Sequence, residues 1–131
     1  MNLDFKLLRD TFSIYRLNKD STIPDWLDES DFYSVTKTGE EMSIVCKQVD
    51  NLPDDRIKTD RHWRILKING PLDLSQVGII AYISDLFKKN KISIFTISTY
   101  DTDYFLFKDK DLDIGIRALR EKDIMYCLNR P

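Results

Sequence analysis

Two segments in the second half of the chain contain residues that could bind a small charged molecule. The first segment runs from residue 69 to residue 78. It reads Asn69-Gly70-Pro71-Leu72-Asp73-Leu74-Ser75-Gln76-Val77-Gly78. Glycine allows a backbone to approach a ligand closely, and the segment leads into a predicted helix, whose first amides are a natural site for a carboxylate.

The second segment lies between two predicted strands and is rich in hydroxyl groups and carboxylates. Its members are Ser98, Thr99, Tyr100, Asp101, Thr102 and Asp103. Asp101 or Asp103 could hold an ammonium or guanidinium group through charge-assisted hydrogen bonds. If both segments lie at one edge of a sheet, they could form a single pocket for a molecule with both charges.

Spacing alone favours a plainer interpretation of the same residues. In that interpretation Gly70-Pro71 only turns the chain, Asp73 caps the helix, and Asp101 and Asp103 belong to a hairpin turn.

Catalytic chemistry has little support elsewhere in the sequence. His62 is the one histidine, and a lone histidine is more often a surface or packed residue than a catalytic base. Cys46 and Cys127 are far apart and have no histidine cluster around them, so they do not assemble a zinc site. Both thiols are expected to be reduced and packed.

Three alternating carboxylates, Asp109, Asp111 and Asp113, suggest calcium at first sight. The glycine and the bidentate glutamate that an EF-hand loop requires are missing from their surroundings, and a solvated helix start explains them better. The chain also contains neither GxxxxGK[ST] nor GxGxxG, so a phosphate-binding loop is not supported. No metal and no cofactor is expected.

Length and charge limit the class of protein. The chain has 131 residues, is 42% hydrophobic and has a formal charge of −2, which is typical of one globular domain or two small units. A large surface that neutralises phosphates, and hence nucleic-acid binding, is not indicated. No apolar stretch approaches the ~20 residues that span a bilayer, and the first residues lack the order of a secretory signal, so the cytoplasm is the expected compartment.

Apolar periodicity predicts a strand-rich first half. The predicted strands are Phe5–Leu8, Phe12–Leu17, Phe32–Thr38 and Met42–Lys47. A short helix is predicted around residues 23–27, after Pro24, and a hairpin turn at residues 37–40. The polar cluster at residues 51–55 then separates this half from the next.

The second half alternates between strands and helices. Strands are predicted at Trp63–Ile68, Ile92–Ile97, Tyr104–Lys108 and Ile124–Leu128, and helices at Ser75–Asn90 and around residues 112–119. Asp73 and Gln76 are a possible capping box for the first helix. The order β-α-β-β-α-β predicts an α+β, ferredoxin-like fold with an antiparallel sheet and both helices on one face. This fold does not by itself indicate a function.

Several stretches of this half also resemble a known family. They are Trp63 through Gly70-Pro71-Leu72-Asp73, Gly78-Ile79-Ile80-Ala81, Ile92-Ser93-Ile94-Phe95, and Ile97 through Tyr104. Together they resemble the ACT domain, of the type found in CASTOR-like arginine sensors and their bacterial relatives. The stretches Phe32–Thr36 and Glu41–Cys46 resemble a more divergent ACT-like unit.

The resemblance implies two tandem ACT-like modules, a divergent one at residues 1–61 and a second at residues 62–131. It implies a non-catalytic protein that binds a small molecule, usually an amino acid, between modules or subunits. The loop with Gly70, Pro71, Asp73, Ser75 and Gly78 would supply amide contacts, and Ser98, Thr99, Tyr100, Asp101 and Asp103 would line the other side. The arginine sensors contain two such pairs of modules, so a second copy of this chain could complete the site, and a homodimer is the expected assembly.

The family resemblance leads to two hypotheses about the function. The first is an amino-acid-binding regulatory protein that changes its own or a partner protein's conformation. The alternative is a constitutive dimeric interaction module with a vestigial pocket. An enzyme would need Asp101 or Asp103 as a general base with a raised pKa, and the sequence shows no burial that would raise it.

Overall fold

The computed structural model describes residues 4–52, 54–69, 78–122 and 125–128, the last four as backbone only. It divides into a unit formed by Asp10–His62 and a unit formed by Met1–Arg9 together with Trp63–Pro131. The boundary at His62 lies beside the one predicted from the sequence. Residues 1–9 group with the second unit, a feature that strand periodicity could not reveal because it does not identify the partner of a strand.

The unit of residues 10–62 is built on antiparallel strands. They are β2 (Phe12–Leu17), β3 (Tyr33–Lys37) and β4 (Met42–Lys47), and a 3-10 helix covers Asp25–Glu29. β4 lies between β3 and β2 and pairs with both. The predicted strands and the predicted helical turn are confirmed, each strand to within one residue at either end.

The hairpin between β3 and β4 is closed by Thr38. The Thr38 amide donates to the carbonyl oxygen of Glu41 at 2.9 Å, and its hydroxyl oxygen accepts from the amides of Glu40 and Glu41 at 3.1 Å. The predicted hairpin turn is therefore confirmed, with threonine satisfying the turn amides.

Aromatic and sulfur-containing side chains fill the core of this unit. Tyr15 is fully buried, packs edge-on against Trp26 with ring centroids 5.2 Å apart, and accepts a hydrogen bond from the Val49 amide at 2.8 Å. Cys46 is buried and free, as predicted, and burial raises the pKa of its thiol to about 12. Its thiol is thus a packed apolar group. The Cys127 side chain lies outside the described residues.

The second unit has the predicted β-α-β-β-α-β order. Its elements are β1 (Asp4–Leu7), β5 (Lys58–Ile68), α1 (Ile79–Lys89), β6 (Phe95–Ser98), β7 (Asp103–Lys108), α2 (Leu112–Glu121) and β8 (Met125–Leu128). The first five residues of β5 belong to the other unit. β7 pairs antiparallel with both β5 and β6, so the predicted α+β fold with an antiparallel sheet is confirmed.

β1 is an additional strand in this sheet. It pairs antiparallel with β5, where Phe5 faces Ile68, and parallel with β8, where Asp4 faces Met125. The strand order is therefore β6-β7-β5-β1-β8. β1 separates the first and last strands of the β-α-β-β-α-β unit and supplies hydrogen bonds to both.

Both helices cover the same face of this sheet. Alternate residues of the strands, such as Leu66 and Ile68 of β5, join one buried cluster with residues of α1 and α2. The other members from the strands are Phe5, Leu7, Phe105 and Phe107, and those from the helices are Ile79, Ile83, Leu86, Phe87, Ala118 and Leu119. Gly115 of α2 faces this cluster, and a Cβ atom there would lie 3.6 Å from Phe107.

The end of α1 differs from the prediction that a strand begins at Ile92. Lys91 has a φ of 60°, its amide donates to the Lys88 carbonyl at 3.0 Å, and the Ile92 amide donates to the Phe87 carbonyl at 3.0 Å. This is a Schellman motif, in which Ile92 packs back against Phe87 within the core. β6 begins only at Phe95, because Ile92 is used to close the helix.

Candidate ligand-binding site

The second candidate segment forms the hairpin between β6 and β7. Ser98 faces Asp103 in the ladder, and the Thr99 amide donates to the Thr102 carbonyl oxygen at 2.9 Å. The Thr102 amide donates back to the Thr99 hydroxyl at 3.3 Å. Tyr100 and Asp101 therefore form the tip of the turn, and the Tyr100 side chain is 86% exposed. The plainer prediction of a hairpin turn is confirmed, and it also brings five predicted site residues together.

Thr102 fixes this hairpin to the end of β5. Its side chain is 3% exposed, and its hydroxyl donates to the carbonyl oxygen of Ile68 at 2.9 Å. Ile68 is followed directly by the first candidate segment. Thr102 was not predicted as a site residue, because nothing in a polar run of serine, threonine and aspartate shows which hydroxyl points inward.

The start of the first candidate segment is held by β1. The Asn69 amide donates to the Asp4 carbonyl oxygen, and the Asn69 side-chain amide donates to the Asp4 carboxylate, both at 2.8 Å. The end of β5 is thus bonded to β1 through Asn69 and to the hairpin through Thr102. This places the hairpin at the edge where residue 70 continues the chain. Gly70, Pro71, Asp73 and Ser75, with the proposed capping box, lie outside the described residues.

Gly78 begins α1. Its φ is 87°, a left-handed conformation that favours glycine, and its carbonyl oxygen accepts from the Tyr82 amide at 2.8 Å. A Cβ atom at this position would meet no atom of the described residues within 4 Å. The exposed backbone of Gly78 does not by itself select a ligand.

The electrostatics of the hairpin are set by its carboxylates. Asp101 is exposed and Asp103 is half-buried. Burial raises the pKa of the neighbouring Tyr104 phenol, and the negative charge of Asp101 raises it further. Two carboxylates within one short turn form a negative surface, which suits an ammonium or guanidinium group.

The other candidates for chemistry do not converge. His62 is exposed within β5, has a φ of 69°, and its amide donates to the Gln48 side-chain oxygen at 3.1 Å. Across the residues that the structure describes, no group of three histidine, cysteine, aspartate or glutamate side chains could hold a metal ion. Among the described helices, none combines the length and the apolar composition needed to cross a membrane.

Comparison with family models divides the chain in a similar way. The model of the ACT domain matches residues 58–121. A second model, described as an N-terminal domain, matches residues 10–55. No curated protein matches the chain.

Solved structures are similar over nearly the whole chain. A structural-genomics protein from Agobacterium tumefaciens is 30% identical with a TM-score of 0.89, covering 100% of this chain and 96% of that one. A Vibrio cholerae protein, described as of unknown function and a possible transport protein, is 16% identical with a TM-score of 0.72, covering 92% and 89%. The regulatory subunit of aspartate kinase from Thermus thermophilus is 12% identical with a TM-score of 0.61, covering 89% and 95%. The last two similarities show the fold.

Proposed function

Because the chain belongs to the same family as the Agobacterium tumefaciens protein and its residues 58–121 form an ACT domain, we propose that it is a non-catalytic regulatory protein that binds an amino acid. The similarity in fold to the regulatory subunit of aspartate kinase supports a regulatory role. A tandem arrangement of the CASTOR-like type, with a second ACT-like module in the first half, is part of the same proposal.

The observation that carries the proposal is the bond between Thr102 and the end of β5. It holds the backbone of the turn that carries Asp101 and Asp103 beside the end of β5. An amino acid has an ammonium group for such carboxylates and a carboxylate for amides at a helix start. The proposed pocket therefore lies between the hairpin and the segment of Gly70, Pro71, Asp73, Ser75 and Gly78.

Regulation requires that the ligand bind two conformations with different affinity, since equal binding to both shifts no population. The hairpin is suited to this role because its tip is exposed while its base is held by the buried Thr102. A bound ligand would join the tip to the helix start and thereby stabilise one arrangement of the loop. A partner protein that recognises this arrangement would receive the signal.

The alternative function is a constitutive homodimeric interaction module. The observation that favours it is the edge position of β6, which in the described part of the chain pairs with β7 alone and presents the partly exposed Phe95. An open edge can pair with a second copy across a two-fold axis.

Light scattering coupled to size-exclusion chromatography would detect this homodimer. Thr96→Lys, at an exposed position of β6, should favour the monomer.

Thermal unfolding with each of the twenty amino acids at millimolar excess tests the proposed function. A ligand that binds only the folded chain raises the unfolding temperature by several degrees when it is far above its Kd. Asp103→Ala should abolish that rise, whereas Asp28→Asn, an exposed aspartate in the other unit, should preserve it. A flat response across the panel would reject amino-acid binding and favour the interaction module.

A further inference from the structure

A cavity of about 320 Å³ lies in the unit of residues 10–62. Its volume is at the lower end of the range for small-molecule sites, which is about 300–1,000 Å³. Leu17 and Ile57 form the apolar part of its lining. Leu17 is buried and Ile57 packs against the same core cluster, so this part of the wall is held by the core of the unit.

The polar part of the lining is predominantly cationic. Arg16, Arg56 and Lys58 contribute three positive charges, against one carboxylate from Asp54. Arg16 comes from β2, whereas Arg56 lies in the turn just before β5 and Lys58 is the first residue of β5. An opening with this excess of positive charge attracts anions.

Asp54 holds Arg56 in place and engages only some of the N–H donors of the Arg56 guanidinium. The Arg56 Nε and Nη2 atoms donate to the two carboxylate oxygens of Asp54 at 3.0 Å, and the Arg56 amide donates to Asp54 at 2.9 Å. These bonds lower the pKa of Asp54, so the carboxylate stays charged at neutral pH. A guanidinium has five N–H donors, and the pair with Asp54 leaves three of them for a ligand.

Arg16 and Lys58 differ in how much of their charge is already compensated. Arg16 Nη2 donates to the Glu40 carbonyl oxygen at 3.3 Å, and its Nε lies 3.8 Å from the Glu41 carboxylate. No carboxylate within the ranges that the structure describes forms an ion pair with Lys58. Lys58 is thus the cation at the opening with the most charge available for a ligand.

The remaining side of the cavity is a fixed turn. The Asn18 side-chain oxygen accepts from the Asp20 amide at 2.9 Å, and the Ser21 amide donates to the Asn18 carbonyl oxygen at 3.0 Å. These bonds place Ser21 in the lining. The serine hydroxyl in this lining is an additional donor for an oxyanion.

We propose that this cavity binds a small organic anion, with its carboxylate or phosphate group held by Arg56 and Lys58 and its short apolar part against Leu17 and Ile57. The site is separate from the pocket proposed at the hairpin and does not depend on it. It would give the unit of residues 10–62 a ligand of its own.

Isothermal titration calorimetry of the full chain at constant ionic strength tests this site, with succinate, inorganic phosphate and neutral succinamide as probes. We expect saturable binding of at least one anion and none of succinamide. Lys58→Gln should weaken that binding roughly tenfold, the value of one charge-assisted hydrogen bond. Lys88→Gln, which removes another exposed lysine, in α1, should leave it unchanged.

Asp54→Asn provides a test in the opposite direction. It removes the one carboxylate among the described lining residues, and the loss of its repulsion should make anion binding several-fold tighter even though Arg56 loses the partner that holds it. Preferred binding of succinate would assign a carboxylate ligand, and preferred binding of phosphate would assign a phosphorylated one. Absence of binding to either anion, or equal weakening by Lys58→Gln and Lys88→Gln, would overturn the proposal. Asp103→Asn should not affect these titrations, which separates this site from the hairpin.

Discussion

The buried hydroxyl of Thr102 donates a hydrogen bond to the carbonyl oxygen of Ile68 across 2.9 Å. Through this one bond the turn that carries Asp101 and Asp103 is held at the end of β5. The hairpin is also held by the ladder between β6 and β7 and by the pairing of β7 with β5, but neither of these fixes the turn itself. The stability of this region and its proposed ligand response should therefore depend on the same side chain.

Thr102→Val should lower the free energy of unfolding by about 1–2 kcal/mol, because it leaves the buried Ile68 carbonyl oxygen without its donor. Urea denaturation measures the change. Thr102→Ser keeps the hydroxyl and should restore most of the loss. Equal destabilisation by valine, which lacks the hydroxyl, and by serine, which keeps it, would show that the hydrogen bond does not explain the effect.

Gly78→Ala should lower the free energy of unfolding by about 1 kcal/mol, because a left-handed φ of 87° disfavours any side chain. The loss comes from the backbone, since no atom of the described residues lies within 4 Å of a Cβ atom at this position. Gly39→Ala is the matched control, as that position is equally open and has no positive φ. Equal effects of the two substitutions in urea denaturation would contradict this explanation.

Lys91→Gly should raise the free energy of unfolding by about 0.5–1 kcal/mol. Lys91 occupies the left-handed position of the Schellman motif, where glycine avoids the strain of a side chain. Part of that gain is offset by the greater freedom of glycine in the unfolded chain. Lys88→Gly, within α1, should instead be destabilising by up to about 1 kcal/mol. Thermal unfolding of both variants checks the opposite signs.

Cys46 should make the chain less stable at alkaline pH. Its folded pKa of about 12 lies above the ordinary value of 9.0, so the folded chain retains a proton that the unfolded chain releases. The stabilisation is complete below pH 9 and is lost as the pH rises from 9 towards 12, at up to about 1.4 kcal/mol per pH unit. Urea denaturation between pH 8 and pH 10.5 should show this slope, and Cys46→Ala should flatten it. Parallel slopes for the two proteins would show that other groups cause the loss.

Local sequence patterns predicted where the strands and helices lie, but they did not predict which strands pair with each other. Runs of β-branched and aromatic residues located β2, β4 and β7, because half-buried strands require them. The predicted strand began too early, at Ile92. An apolar residue after a helix can either begin a strand or pack back to close the helix, and the residue type does not distinguish the two. The insertion of β1 between β5 and β8 depends on residues at opposite ends of the chain, which periodicity does not connect.

The hairpin that carries Asp101 and Asp103 was predictable from its residue types, whereas its detailed geometry was not. Asp101 and Asp103 were identified because carboxylates cluster between two strands. The inward hydroxyl of Thr102 and the left-handed backbone of Gly78 have no signal in spacing. The cavity between Arg16 and Lys58 was missed for a different reason, because its lining comes from separate segments that no single motif contains.

The position of β1 also constrains how the chain folds. The parallel ladder from Asp4 to Met125 joins nearly the full length of the sequence, and such distant contacts raise the contact order and slow folding. On the ribosome, β1 emerges first and must wait for β8 before its sheet is complete, while β2, β3 and β4 can pair much earlier. A fragment that starts at residue 63 would leave the facing edges of β5 and β8 without their shared strand. We therefore expect the unit of residues 10–62 to acquire structure first and the unit of residues 1–9 and 63–131 to close last.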